Sequence, residues 1–164
     1  MRTPVHIKQK NVSCFQGTKF DMALKEIEHG SKEYQQMVQL RYEILRKPLG
    51  LDFTEEELAK EKNDILIGVI EDDKMLACCM LTKTKSDTVR LRQMAVHKNL
   101  QGKGIGASLM NFAENLARDR GYKNLVMHAR KVAVGFYEKQ GYKITGDEFI
   151  EVSIPHYLMQ KKLG

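Results

Sequence analysis

Residues 91–110 read LRQMAVHKNLQGKGIGASLM, a strand-like run that enters a glycine-rich turn and passes without a break into an amphipathic helix. Gly102, Gly104 and Gly106 can take backbone conformations closed to other residues and leave no side chain in the way. The first N–H groups of the helix that follows have no partner within it and point back toward the turn. The helix macrodipole adds roughly half a positive charge at that end, and Lys103 supplies a full one beside it. An anion, and above all a phosphate, fits such a place.

Outward from the turn, Ile105, Leu109, Phe112 and Leu116 recur at the spacing of one helical face, which predicts a helix to about Arg120 that stops at Gly121. Asn124 to His128 is short and nearly all apolar, as expected of a strand covered on both faces. Val132 to Gln140 reads as a helix ended by Gly141, and Tyr142 to Thr145 and Tyr157 to Lys161 read as closing strands. Upstream, Thr88 to Val96 is a strand. Ile65 to Glu71 and Met75 to Lys83 form a hairpin across Asp72-Asp73, although that turn has no glycine. Phe20 to Glu28 is strand-like, and Ser31 caps a helix whose apolar positions Tyr34, Met37, Val38, Ile44 and Leu45 run up to Pro48 and Gly50. Thr54 to Glu61 predicts a short second helix. The order of strand, helices, antiparallel strands, helix, strand, helix and strands implies an α+β fold with a mixed, mostly antiparallel central sheet flanked by helices. Residues 1–19, with Pro4 and Gly17 and no clear periodicity, read as an N-terminal extension. Residues 20–164 read as a single domain.

A chain of 164 residues can bury a core without disulfides or a structural metal. Cys14, Cys78 and Cys79 are odd in number and two are adjacent, so neither a disulfide framework nor a metal site follows, and a reducing cytoplasm is the expected compartment. No apolar run is long enough for a signal peptide or a membrane span, and no membrane partner is expected. The net charge of +6 suits a phosphate-bearing partner, but Lys and Arg are interleaved with Glu and Asp rather than gathered into an arm for nucleic acid, and none is expected to bind.

Three phosphate-binding readings compete for the turn. A nucleoside-triphosphate loop needs Gly-Lys followed by Ser or Thr, whereas Lys103 is followed by Gly104. The relaxed dinucleotide pattern Gly-x-Gly-x-x-Ala is met by Gly102 to Ala107. That pattern, however, belongs after a first strand, with an acidic residue at the end of the second, and here antiparallel strands precede it and the next strand ends in His128-Ala129-Arg130. The third reading fits. Gln101-x-x-Gly104-x-Gly106 resembles the acyl-CoA signature of the GNAT superfamily of N-acetyltransferases, Met94-Ala95-Val96 matches the strand before it, and Ala133-x-x-Phe136-Tyr137 with Gly141-Tyr142 resembles its second motif. A subset of small bacterial members is similar also in Phe149, Glu151 and Ile154-Pro155-His156, and in Leu40-Arg41 through Pro48-Leu49-Gly50.

The resemblance implies acetyl-CoA as co-substrate, with no metal. It implies cofactor binding by Met94, Ala95, Val96, Gln101, Gly102, Lys103, Gly104, Ile105 and Gly106, and an amine-bearing acceptor, small molecule or protein. A homodimer is compatible with it. A backbone N–H of the Met94 to Val96 strand is the implied oxyanion donor. Tyr137 is the implied proton donor to the departing sulfur, since a phenol of pKa about 10 stays protonated where a thiol of about 8.5 begins to ionise. Many members carry a carboxylate on the strand leading to the turn as a base; this chain has Arg92 and Gln93 there. His97 occupies a position that often has no chemical duty and reads as a turn cap. His128, His156, Glu148 and Glu151 remain as bases, unless water takes the proton. Arg130 stands where relatives have a cofactor-contacting asparagine, and could reach a coenzyme phosphate or an anionic substrate group. The loss of the strand carboxylate leaves open a non-catalytic module that binds acyl-CoA as a regulatory ligand.

Overall fold

A computed structural model describes residues 7–8 and 22–164 of the chain. Most of the extension read at residues 1–19, together with Cys14 and the expected start of the next strand at Phe20, lies outside the described residues. The chain forms two compact units, Met1–Met80 with Gln93–Phe112, and Leu81–Arg92 with Ala113–Gly164.

In the first unit, β1 (Ile7–Lys8) pairs antiparallel with β2 (Ala23–Ile27), and β2 with β3 (Ile65–Glu71). Next to β3 come β4 (Lys74–Lys85) and β5 (Thr88–Val96), both of which contribute residues to both units. The β3–β4 hairpin closes on Asp72 and Asp73 at φ 47° and 60°. Aspartate tolerates that left-handed region because its short polar side chain can bond locally, so the missing glycine does not prevent the turn.

Helix α1 (Lys32–Arg41) starts where the Ser31 hydroxyl accepts the Tyr34 N–H at 3.1 Å. The expected single helix up to Pro48 is in fact three segments. Tyr42–Arg46 widens into a π-helix and Lys47–Leu49 tightens into a 3₁₀ turn that ends on Gly50 at φ 67°. Pro48 explains the break, since it has no N–H for the Ile44 carbonyl and its ring crowds the preceding turn. Helix α2 (Glu55–Ala59) opens on a reciprocal cap: Glu57 N–H donates to Thr54 Oγ1 at 3.1 Å, and Thr54 N–H to Glu57 Oε2 at 2.9 Å. Beyond α2, the carboxylate of Glu61 accepts two bonds from Arg41, at 2.8 and 2.7 Å, and one from the Tyr34 hydroxyl at 2.7 Å, all of them buried. The Arg41 guanidinium also lies 4.6 Å from the centre of the Phe53 ring. Around this network Ile27, Tyr34, Met37, Leu40, Leu66, Met75, Cys78, Met80 and Ala95 form one apolar cluster.

In the second unit, β6 (Asn124–Arg130) runs parallel to β5, Thr88 opposite Asn124 through Leu91 opposite Met127. On its other side it is antiparallel to β9 (Ile154–Lys162), over its whole length. Strands β7 (Lys143–Ile144) and β8 (Phe149–Glu151) add to β9. Leu125, Met127 and Ala129 are buried while their neighbours are only half-buried, the alternation of a two-faced strand. Helix α3 (Ile105–Asp119) contributes residues to both units and ends as expected at Gly121, where the Tyr122 N–H reaches the Ala117 carbonyl at 3.0 Å. Helix α4 (Val134–Lys139) follows a 3₁₀ turn at Lys131–Ala133 and is ended by Gly141 at φ 93°. No helix among the described residues is long and apolar enough to cross a membrane.

The largest departures from the expected strands lie near the end of the chain. β9 begins at Ile154 rather than Tyr157, and β8 was not expected. Pro155 reads as a strand breaker, yet it sits opposite Ile150, where the short outer strand demands few bonds. The β8–β9 turn places Val152 and Ser153 at φ 50° and 61°. A β-branched residue is a poor occupant of that region. Replacing the pair with Asn-Gly (V152N with S153G) is expected to raise stability by about 1 kcal/mol, seen as a higher urea midpoint with an unchanged slope.

Candidate functional site

The glycine turn belongs to the first unit. Along β5, Gln93 has φ 54°, a left-handed residue that interrupts the extended strand in the manner of a bulge. Of the three residues after it, Ala95 is buried in the apolar cluster while Met94 and Val96 are half-buried. His97 donates its N–H to the Leu76 carbonyl at 2.8 Å, and its Nδ1 accepts the Asn99 N–H at 3.3 Å, the cap its position implied. The Gln101 side chain donates to the Val96 carbonyl at 3.1 Å. It therefore folds the turn against the end of β5. Gly102 and Gly104 follow at φ 79° and 82°, both exposed, with nothing within 4 Å of where a Cβ would stand. Their requirement for glycine is thus conformational. The Ser108 N–H bonds the Gly104 carbonyl at 3.1 Å as the first closed turn of α3, and no acidic residue lies in that turn. An exposed start to a long helix, with Lys103 in the turn and no acidic residue in the helix's first turn, can receive a phosphate-bearing ligand.

Tyr137 belongs to the second unit, on α4. Its ring is buried, edge-on to Phe136 and Tyr142 at 5.1 and 6.1 Å, while Phe136 is half-buried, so the helical neighbours do face differently. The base candidates divide. Glu148 pairs with Lys131 at 2.9 Å. His128, Glu151 and His156 come together: His128 Nδ1 lies 3.1 Å from Glu151 Oε1, and His156 Nε2 lies 3.7 Å from Glu151 Oε2. Phe149 packs against both imidazoles, edge-on to His128 and stacked on His156. His156 Nδ1 faces the Ile154 carbonyl at 2.7 Å, which makes it a donor and fixes its tautomer. Arg90 joins the group, with Nη2 2.8 Å from His128 Nδ1.

Cys78 and Cys79 are fully buried. Burial pushes the Cys78 thiol up to about 12, the charge of Arg41 offsetting it only in part, and Cys79 rises for the same first reason. Neither provides a thiolate near neutral pH.

The family model for the GNAT acetyltransferase domain matches residues 28–163. The chain belongs to the GNAT family. The uncharacterized N-acetyltransferase YjcF of Bacillus subtilis is 30% identical over 108 residues, 65% of this chain and 77% of that protein. Other curated relatives match over a smaller part, and the chain spans about half their length. Among solved structures, an acyl-CoA N-acyltransferase from Pseudomonas aeruginosa superposes with a TM-score of 0.73 at 19% identity, over 87% of this chain and 99% of that one. An aminoglycoside 6'-N-acetyltransferase complexed with coenzyme A gives 0.73 at 18%, over 85% and 96%. At that identity they share the GNAT fold, an α+β arrangement on a mixed sheet as expected from the sequence, in a family that uses acyl-CoA.

Sequence reasoning passed over Arg90. The signal was present, because Arg90 and Arg92 stand two apart on one strand and so share a face. What could not be read was the register that sets His128 and Glu151 beside them.

Proposed function

We propose that the chain transfers an acetyl group from acetyl-CoA to a primary amine, of a small molecule or a protein, by direct attack in a ternary complex. The observation that carries this reading is the turn from Gln101 to Gly106, held open by two left-handed glycines at the start of a long helix free of first-turn acid. Gly102, Lys103, Gly104, Ile105 and Gly106 would hold the phosphates and Met94, Ala95 and Val96 the arm that carries the acyl group, with Gln101 shaping the turn. When bound, acetyl-CoA supplies an activated thioester. A backbone N–H of the Met94 to Val96 segment would bind the oxygen that gains charge, and the Tyr137 hydroxyl would give a proton to the leaving sulfur. Glu151 with His128 would take a proton from the substrate ammonium, which then attacks as the neutral amine. The burial of both described cysteines favours direct transfer over a route through an acetylated thiol.

The test is release of coenzyme A above the hydrolytic background with a panel of amines. Turnover supports the enzyme. Saturable binding of acetyl-CoA without turnover on any amine would support instead the regulatory module that the absence of a carboxylate at Arg92 and Gln93 favours. For the enzyme, Tyr137→Phe is expected to lower kcat by roughly 10- to 100-fold while the KM for acetyl-CoA stays within about twofold, because the hydroxyl acts on the departing sulfur and not on the phosphates. An unchanged kcat would remove Tyr137 from the mechanism.

A further inference from the structure

We infer that the acceptor carries an anionic group, a carboxylate or a phosphate, held by the guanidiniums of Arg90 and Arg92. The inference rests on the acetyltransferase reading above and names the substrate class for it.

On β5, Val89 and Leu91 are buried while Arg90 and Arg92 share the opposite, half-buried face. On β6 the same alternation puts His128 and Arg130 on one face, and the Arg90–His128 contact shows that the two faces are continuous. This face therefore carries Arg90, Arg92 and Arg130, and among the described residues the carboxylate bonded within the group is that of Glu151. That carboxylate is shared, lying 3.1 Å from His128, 3.7 Å from His156 and 3.8 Å from Arg90. Among the described residues, Arg92 bonds the Thr82 hydroxyl, at 3.5 Å.

Two further features mark the group as incomplete. The Nε of Arg90 is buried with no hydrogen-bond partner, an expensive position for a charged donor. His128 Nδ1 faces a group that only donates, Arg90 Nη2 at 2.8 Å, and a group that only accepts, Glu151 Oε1 at 3.1 Å. No tautomer satisfies both. Burial, and then the neighbouring charge of Arg92, push the Arg90 guanidinium below its ordinary range, with Glu151 offsetting them in part. A planar anion that accepts from Arg90 and Arg92 would answer all of this. It would neutralise the excess charge, partner the fork of Arg90, and draw Arg90 away from Nδ1. His128 could then donate from Nδ1 to Glu151 and keep Nε2 as a proton acceptor. An amine a few bonds from that anion would meet a base made ready by its own acidic end.

The experiment is calorimetric titration, with coenzyme A saturating, of β-alanine, O-phosphoethanolamine and ethanolamine into the wild type, R90Q, R92Q and R90K, each variant first checked for a native melting transition. At least one of the two anionic amines is expected to bind about tenfold or more tighter than ethanolamine, and which one binds separates carboxylate from phosphate. R90Q and R92Q are expected to erase the preference and leave the affinity for coenzyme A unchanged. R90K, which keeps the charge and loses the fork, is expected to fall between. Equal binding of ethanolamine, or no binding of either anionic amine to protein that holds coenzyme A, would overturn the inference and leave the acetyltransferase reading standing. Loss of coenzyme A affinity in R90Q would assign the guanidiniums to the cofactor and overturn it too. Failure of coenzyme A to bind the wild type would remove both.

Discussion

Gly104→Glu is expected to weaken acetyl-CoA binding by roughly a hundredfold in calorimetric titration, with the fold retained. Gly104 sits at φ 82°, where any side chain carries about 1–2 kcal/mol of backbone strain, which the free turn relieves by leaving the binding conformation and which binding must restore. The glutamate also sets a negative charge at the positive end of α3, in the place proposed for phosphates, which adds a further 1 kcal/mol or so of repulsion and lost dipole interaction. Gly104→Ala separates the two terms. Nothing lies within 4 Å of the new Cβ, so alanine carries the strain alone and is expected to cost about tenfold or less. If the glutamate variant binds as well as the wild type, the turn is not the phosphate site.

The second large effect concerns stability. Arg41→Met is expected to lower stability by about 3–5 kcal/mol, and so to lower Tm by roughly 6–20 °C. The side chain of Arg41 has no exposure and that of Glu61 5%. Removing the guanidinium strands the Glu61 carboxylate in the interior with only the Tyr34 hydroxyl as partner. The diagnostic control is the double variant Arg41→Met with Glu61→Leu. Because the cost of breaking a buried pair is mostly that of the charge left behind, the double variant is expected to recover much of the loss. A single variant that melts within 2 °C or so of the wild type would mean that water reaches Glu61 readily.

Much of the fold was legible because its signals are local. Strand-like runs marked β3 and β4, helical spacing marked α3, and Gly121 and Gly141 marked two helix ends, each within a few residues of its cause. Asp72-Asp73 betrayed a turn through residue type alone. What stayed hidden depends on pairing at a distance. β8 is three residues long and exists because β9 offers it a partner, and Pro155 concealed the start of β9. The π-turn at Tyr42–Arg46 follows from a proline several residues ahead of it. The same division holds at the candidate site. The glycine turn declares itself as a contiguous string, in which Gly102 and Gly104 take left-handed conformations while Gly106 lies inside α3. The group of Arg90, His128, Glu151 and His156 is assembled across β5, β6, β8 and β9, so its members appear in the sequence only as separate polar residues. His128, Glu151 and His156 could be nominated singly, but nothing in the string joins them.

Cys78 and Cys79 sit back to back on β4, one inside the cluster built around α1 and its neighbour directed to the other face of the strand. A protonated thiol sealed in this way cannot be alkylated until the strand opens, so the rate at which each sulfur reacts times the openings of its own side of the sheet. The protein thus carries two clocks on adjacent residues. Equal rates would describe a strand that comes away whole, and unequal rates a sheet that breathes on one face first.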